Sequence, residues 1–376
     1  MVEQASALIG ELTERIARHG SVRFDEFMEL ALYHRTAGFF GRGAGAGTAR
    51  ADFVTSPEVG PLFGAVMAKF LDARWQELGC PDPFVVIEAA AGRGALALAV
   101  RAAQPACSAA LRYVLVERSE SLRARQVEHL SLVHPDEVLG TIAEDAVAGA
   151  GPLFYSLAAL PAGPVVGLVI ANELLDNLPI RLLQRGLNEW YESRVTLVGD
   201  EFVELLVPAD ATTACTVEEL LPHAMSGVWI PLQSQAANWL YEARSVLLAG
   251  SVLVIDYCSQ SKQISERPRE EWLRTYRSQQ RGQHPLKFPG SQDITCEVAI
   301  DQVERVASVT LSLTQAEWLT KWGIADLVDE GRKIWSDSAT EGSLAAVRGR
   351  SRIVEAEALL DPAGLGAFNV LEWRIN

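Results

Sequence analysis

Residues 85–96 read Val85-Val86-Ile87-Glu88-Ala89-Ala90-Ala91-Gly92-Arg93-Gly94-Ala95-Leu96, and this stretch decides the fold. Phe84 to Ile87 is apolar and mostly β-branched, as a strand buried on both faces requires. A carboxylate follows, then a turn of small residues, then the apolar run Ala95 to Val100 that opens a helix. Strand, tight glycine turn and helix are the parts of a nucleotide-binding crevice at the end of a parallel strand. Gly92 and Gly94 allow a ligand to lie against the backbone.

Glycine spacing narrows the cofactor. A dinucleotide fingerprint wants glycine at positions 90, 92 and 95, and only Gly92 complies. The acid-x-Gly-x-Gly-x-Gly pattern of S-adenosylmethionine (SAM) enzymes falls on Glu88, Ala90, Gly92 and Gly94, and Ala90 alone departs from it. Leu111 to Glu117 (LRYVLVE) reads as a second strand ending in an acid 23 residues beyond Gly94. Such an acid accepts hydrogen bonds from ribose hydroxyls, which NAD and SAM both carry. A βαβ unit whose glycines serve packing alone is the alternative.

Composition sets the bounds. With 376 residues the chain is long enough for two or three structural units, and 49% hydrophobic with 22% charged residues describes an ordinary globular protein. The formal net charge of −15 disfavours nucleic acid as a partner. There is no 18-residue apolar run, and residues 1–20 carry Glu3, Glu11 and Glu14. Neither membrane insertion nor a secretory signal is therefore expected, and the expected location is cytoplasmic. Cysteines at 80, 107, 215, 258 and 296 form no CxxC, which fits a reducing compartment without a bound metal.

Along the chain, helices are expected over 3–19 and Phe24–Tyr33, followed by a mobile loop at Gly41–Gly47. Ser56 reads as an N-cap, with Pro57 and Glu58 behind it and a helix to about Leu78. Strand 84–88, helix 94–103, strand 112–117, helix 119–130 and a weak strand near 137–142 follow. Val165 to Ala171 is the next apolar strand, and it delivers Asn172, Glu173 and Asp176 to the end of the sheet, where ligands bind. Asn172 and Glu173 also fit a helix start, whereas Asp176 does not. Residues 186–207 alternate as a hairpin turning at Gly199-Asp200, Pro231–Leu248 reads as a helix, and Ser251–Asp256 as a strand ending in Asp256-Tyr257. The arginine-rich segment 261–290 reads as a solvated loop or as a dock for an acidic surface. Capping boxes start at Asp301 and Thr314, a helix covers 341–360, and Asn369–Ile375 is a last strand. The expected partition is a helical region 1–79, a Rossmann-like core 80–260 carrying hairpin 186–207, and an acceptor-side segment 261–376 that completes the fold.

In order, Phe27–Tyr33, Asp52–Glu58, Glu88–Leu96, Val116–Glu117, Asn172–Pro179, Asp256–Tyr257 and Asp293–Thr295 resemble the motifs of a known family. It is the MidA/NDUFAF-seven-like, DUF185-type family of SAM-dependent methyltransferases, and the resemblance covers roughly residues 10–325. It implies a bacterial member with the class I methyltransferase fold: α/β, Rossmann-like, a mostly parallel sheet, an N-terminal helical region and inserted hairpin and helices. It implies SAM as cofactor, near Glu88, Ala90, Gly92, Gly94 and Glu117. Asn172, Glu173 and Asp176 would orient the acceptor, with Asp52, Ser56, Asp256, Asp293 and Thr295 lining its side. The family's mitochondrial member methylates arginine in a respiratory complex I subunit. A protein substrate is thus implied, with a respiratory-complex subunit as one candidate and a homodimer as one assembly.

The chain departs from the family pattern at Ala90 and Ala51, where glycine is usual, near Ala99, where an aspartate is usual, and at Glu297, which is often histidine. Two other classes compete. One is an inactive methyltransferase-fold assembly factor or interaction module, which Ala90 favours. The other is an NAD(P)-dependent oxidoreductase, which the glycine spacing opposes.

Overall fold

The computed structural model describes residues 2–43, 55–134, 147–278, 280–338 and 344–376. Ala51, Asp52, most of the expected Gly41–Gly47 loop and the expected strand near 137–142 lie outside the described residues. Among the described residues no helix is long and apolar enough to cross a membrane. The chain forms two compact units.

One unit comprises residues 54–173, 242–256 and 309–376. Its strands are β1 (Phe84–Ala89), β2 (Leu111–Val116), β3 (Leu153–Leu157), β4 (Val165–Asn172), β5 (Leu247–Asp256), β6 (Leu311–Thr314) and β7 (Asn369–Ile375). They form one sheet in the order β3-β2-β1-β4-β5-β7-β6. Strands β1 to β5 pair in parallel, and β7 runs antiparallel to both its neighbours. Every residue of β1 and β2 is buried, which is why both read as unbroken apolar runs instead of alternating ones. From β1 the chain proceeds to β2 and β3, then returns to β4 on the opposite side of β1. Connections leaving β1 and β4 therefore diverge, and a crevice opens at the carboxyl ends of these two strands.

Packing against this sheet explains two local surprises. The helix expected from 56 to 78 breaks at Gly60 into Ser56–Val59 and Pro61–Glu77. A Cβ at Gly60 would lie 2.3 Å from Glu355 Cδ, and the Glu355 carboxylate accepts the Leu62 N–H at 2.8 Å. Pro61, with no N–H to satisfy, then opens the second helix. Thr55, not Ser56, is the N-cap and shares a capping box with Glu58. Ser56 is instead buried, and its Oγ donates to Gln315 Oε1 at 2.8 Å. Ala99 is small because helix Pro61–Glu77 crosses helix Ala95–Ala103 closely: a Cβ on Gly64 would come within 2.2 Å of Ala99 Cβ. Phe63, Phe70, Phe84, Leu111 and Trp318 share the core. A helix over Ile324–Ser338 occupies a stretch whose sequence suggested no element.

The other unit comprises residues 1–53, 174–241 and 257–308. The expected hairpin is present as Trp190–Val198 and Glu201–Pro208, but it belongs to a five-stranded antiparallel sheet with Val22–Arg23, Arg181–Arg185 and Trp229–Leu232. Because Trp229–Leu232 is a strand, the helix expected from 231 begins at Ser234 and ends at Ser245. Phe24, Phe27, Trp272 and Ile294 share this unit's core. The described parts of the arginine-rich segment form regular elements as well. Strand Leu273–Arg277 pairs with Gln280–Arg281 and with Asp293–Cys296. Arg267 grips Glu297 with two nitrogens at 2.8 and 3.0 Å, and Arg269 meets Glu204 at 2.7 Å. Asp301 does not cap its own helix; it accepts the Ser261 N–H at 2.7 Å.

The two units interleave along the chain, unlike the consecutive segments 1–79, 80–260 and 261–376. Pairing of β4 with β5 and of β5 with β7 draws segments from far apart into one sheet, and proximity in sequence does not report such pairings.

Candidate active site

The turn after β1 is built from left-handed backbone. Ala90 has φ 56°, Gly92 φ 53° and Gly94 φ 84°. Gly94 is needed for packing, since a Cβ there would meet Leu115 Cδ2 at 2.9 Å and Leu130 Cδ1 at 3.0 Å. Gly92 differs: a Cβ there would meet nothing within 4 Å, so the turn is open on that side. Ala90 is exposed and adopts an angle that disfavours any residue with a Cβ by roughly 1–2 kcal/mol. Ala90→Gly is therefore expected to raise stability by up to about 1 kcal/mol, part of the relief being offset by the greater freedom of glycine in the unfolded chain. Chemical denaturation of both proteins checks this, and a destabilised Ala90→Gly variant would contradict it.

The turn is clamped on both sides of Gly92. Glu117, just past β2, accepts the Gly92 N–H through Oε2 at 2.9 Å and the Ser119 N–H through Oε1 at 2.7 Å. Burial raises the Glu117 pKa, while the N–H groups of Ser119 and Gly92 and the charge of Arg123 oppose the rise. At the next peptide, fully buried Gln126 donates its Nε2 to the Gly92 carbonyl at 2.8 Å. Gln126 ends the helix Glu120–Gln126 and carried no sequence signal, because nothing local distinguishes it from an ordinary helical glutamine.

Glu88 is turned inward. Its carboxyl accepts the Tyr113 O–H at 2.9 Å, and the Ala97 N–H in the first turn of the following helix also favours its ionised form. Burial outweighs both and pushes its pKa up to about 8. Glu88 therefore secures the strand–turn–helix unit, and at pH 7 it is mostly the neutral acid. Burial also lifts Glu58, to about 7. A carboxyl whose folded pKa exceeds its unfolded value near 4.5 favours folding most below pH 4.5, and that contribution is lost as pH rises towards 8. Stability is thus expected to fall between pH 5 and 8, with Glu88 supplying a slope of up to about 1.4 kcal/mol per pH unit. Glu88→Gln should flatten that slope in urea titrations at pH 5 and 8. An unchanged slope would show that Glu88 does not carry it.

At the end of β4, Glu173 adopts φ 52°, and its N–H donates to the Ile255 carbonyl of β5 at 2.8 Å. Asn172 Nδ2 donates to Glu173 Oε1 at 3.1 Å. The Asn172 Oδ1 is buried and has no hydrogen-bond partner among the described residues. The residue after each strand bordering the crevice, Ala90 after β1 and Glu173 after β4, is thus a non-glycine residue in left-handed backbone. Such strain clusters at functional sites. Asp256, at the end of β5, is fully buried.

The remaining expected residues lie in the other unit and are gathered there. Tyr257 donates its O–H to Asp176 Oδ2 at 2.5 Å, and burial raises the Asp176 pKa. Asn177 Nδ2 donates to Asp293 Oδ1 at 3.0 Å and to the Ile294 carbonyl at 3.1 Å. Thr295 is buried beside them in strand Asp293–Cys296, with no partner for its Oγ1 among the described residues.

An acid past the second strand, a glycine turn open on one side and an unmatched buried amide oxygen at the end of β4 suit a cofactor with ribose hydroxyls and an amino-acid end. Residues 66–318 match the family model described as "Putative S-adenosyl-L-methionine-dependent methyltransferase". The chain belongs to this family. The methyltransferase is also similar to a solved COG1565 superfamily structure from Burkholderia thailandensis bound to S-adenosyl-homocysteine. That likeness has a TM-score of 0.80 and 26% identity, covering 99% of this chain and 93% of the other. Among curated relatives, the "Protein arginine methyltransferase NDUFAF7 homolog, mitochondrial" of Drosophila melanogaster is 26% identical, covering 80% of this chain and 70% of its own. The human "Protein arginine methyltransferase NDUFAF7, mitochondrial" is 23% identical, covering 96% of this chain and 81% of its own. The methyltransferase therefore uses SAM, with the class I α/β fold that its sequence implied, Ala90 notwithstanding.

Proposed function

We propose that the methyltransferase transfers the methyl group to a guanidinium nitrogen of a protein arginine, with Glu173 orienting that nitrogen. What most supports this reading is the strained backbone at Glu173, which sets a carboxylate at the sheet's ligand-binding end and ties it to the Asn172 amide. SAM supplies an activated methyl group, so the protein's task is placement. A carboxylate matches the planar fork of a guanidinium and can hold it in one orientation. It also favours loss of the proton that the nitrogen must release once the new N–C bond forms. Asn172 fixes the carboxylate, Glu117 and Gln126 fix the turn that the cofactor meets, and Glu88 braces the strand and helix behind it. Asp176, Asp293 and Thr295 are assigned to the acceptor side. The relatives named as protein arginine methyltransferases agree with this acceptor class.

The test is mass spectrometry of proteins incubated with the enzyme and methyl-labelled SAM, a respiratory-complex subunit being the first acceptor to try. Labelled methylarginine that depends on Glu173 is the expected result. Label confined to lysine, histidine or small molecules would overturn the arginine assignment.

A further inference from the structure

We propose that Arg274 and Arg281 form a dock for a carboxylate-rich segment of the acceptor protein. The inference rests on the reading of the acceptor as a protein. Strand Leu273–Arg277 sets Arg274 opposite Thr295, and Tyr276 opposite both Asp293 and Arg281. Directly opposed residues share a face, so this face of the small sheet carries Arg274, Tyr276, Arg281, Asp293 and Thr295. Its reverse face buries Leu273, Ile294 and Cys296 in the core.

Each of the two guanidinium groups is laid over a ring: Arg274 is 5.6 Å from the centroid of Tyr257, and Arg281 is 5.9 Å from that of Tyr276. At the strand's end, Arg277 lies 5.7 Å from the ring of exposed Phe288. A ring orders a planar cation without neutralising it. Their hydrogen bonds also leave the charge in place, since Arg274 Nε donates to the Glu271 backbone carbonyl at 2.6 Å and Arg281 Nη2 to that of Glu270 at 3.0 Å. Neighbouring Arg267 and Arg269 are instead matched to Glu297 and Glu204. Among the described residues, Arg274, Arg277 and Arg281 have no carboxylate within ion-pair distance.

Charge complementarity selects the occupant. A protein of net charge −15 holds three unmatched arginines along one short segment. A short acidic peptide meets mainly this local field, whereas a long nucleic acid meets the repulsion of the whole molecule. Arg274 also lies over Tyr257, which itself donates to Asp176, so the dock adjoins the acidic cluster assigned to the acceptor side.

The experiment is fluorescence anisotropy with fluorescein-labelled hexaglutamate at low salt. The wild type, the Arg274→Ala/Arg281→Ala pair and the Arg274→Lys/Arg281→Lys pair are compared, with S-adenosylhomocysteine titration as the check on folding. The alanine pair should lose affinity at least about tenfold, the lysine pair should retain part of it, and added salt should weaken wild-type binding. Unaltered hexaglutamate affinity in the alanine pair, no binding by the wild type, or tighter binding of an oligouridylate would each overturn the dock. Turnover is not needed for this measurement, so failure of docking and failure of arginine methylation are read separately.

Discussion

Replacing Glu117 with alanine is expected to weaken SAM and S-adenosylhomocysteine binding by on the order of a hundredfold. The carboxylate orders the cofactor turn by accepting the N–H groups of Gly92 and Ser119, and its position past β2 is where ribose hydroxyls are bound in folds of this kind. Hydrogen bonds to a charged group contribute about 1.5–3 kcal/mol each, and removal of the side chain loses both the turn's anchor and the acceptor expected to meet the ribose. Gln126 still holds the Gly92 carbonyl at 2.8 Å, so the turn should loosen instead of unfolding. Calorimetric titration with S-adenosylhomocysteine decides the matter, and equal affinity in the variant would remove Glu117 from the cofactor site.

The second large effect is expected at Glu173. Glu173→Gln should lower turnover by about 10²- to 10⁴-fold and leave S-adenosylhomocysteine affinity as it was. Glutamine keeps the shape, and its Oε1 can still accept the Asn172 amide as Glu173 does at 3.1 Å. It lacks the negative charge that clamps a guanidinium and favours loss of the nitrogen's proton. Binding and rate therefore separate at this position, whereas at Glu117 they should fall together. Single-turnover kinetics with a methylatable arginine protein provide the rate. A rate within a few-fold of wild type would mean that another group orients the acceptor.

Much of the crevice was legible because its signals are local. Strands buried on both faces write themselves as apolar runs, and the residues that end them, Glu88, Glu117 and Asn172-Glu173, stand out against those runs. Glu88 shows where local reading stops. Its place beside the turn suggested contact with the cofactor or the adjacent backbone; its bond to Tyr113 depends on the register of β1 against β2. Gln126 was invisible for the same reason, since its partner lies 34 residues away at Gly92. The helix break at Gly60 required a carboxylate from residue 355. The antiparallel sheet was seen only as its hairpin, because Val22–Arg23 and Trp229–Leu232 are too short and too distant to announce the partners they join.

Strand β7 lies between β5 and β6 although both precede it in the chain. The buried ion pair between Arg74 and Glu372 joins residues 298 positions apart. The entropy of closing so long a loop grows only with the logarithm of its length, so equilibrium stability suffers little from this arrangement. Folding speed is more exposed, since contacts of high sequence separation form late. On this topology β1 to β5 can assemble early, leaving a partial sheet whose β5 edge waits for its antiparallel neighbour. Insertion of the final strand is then the slow event, and until it occurs the growing sheet presents a bare edge of the kind that seeds aggregation.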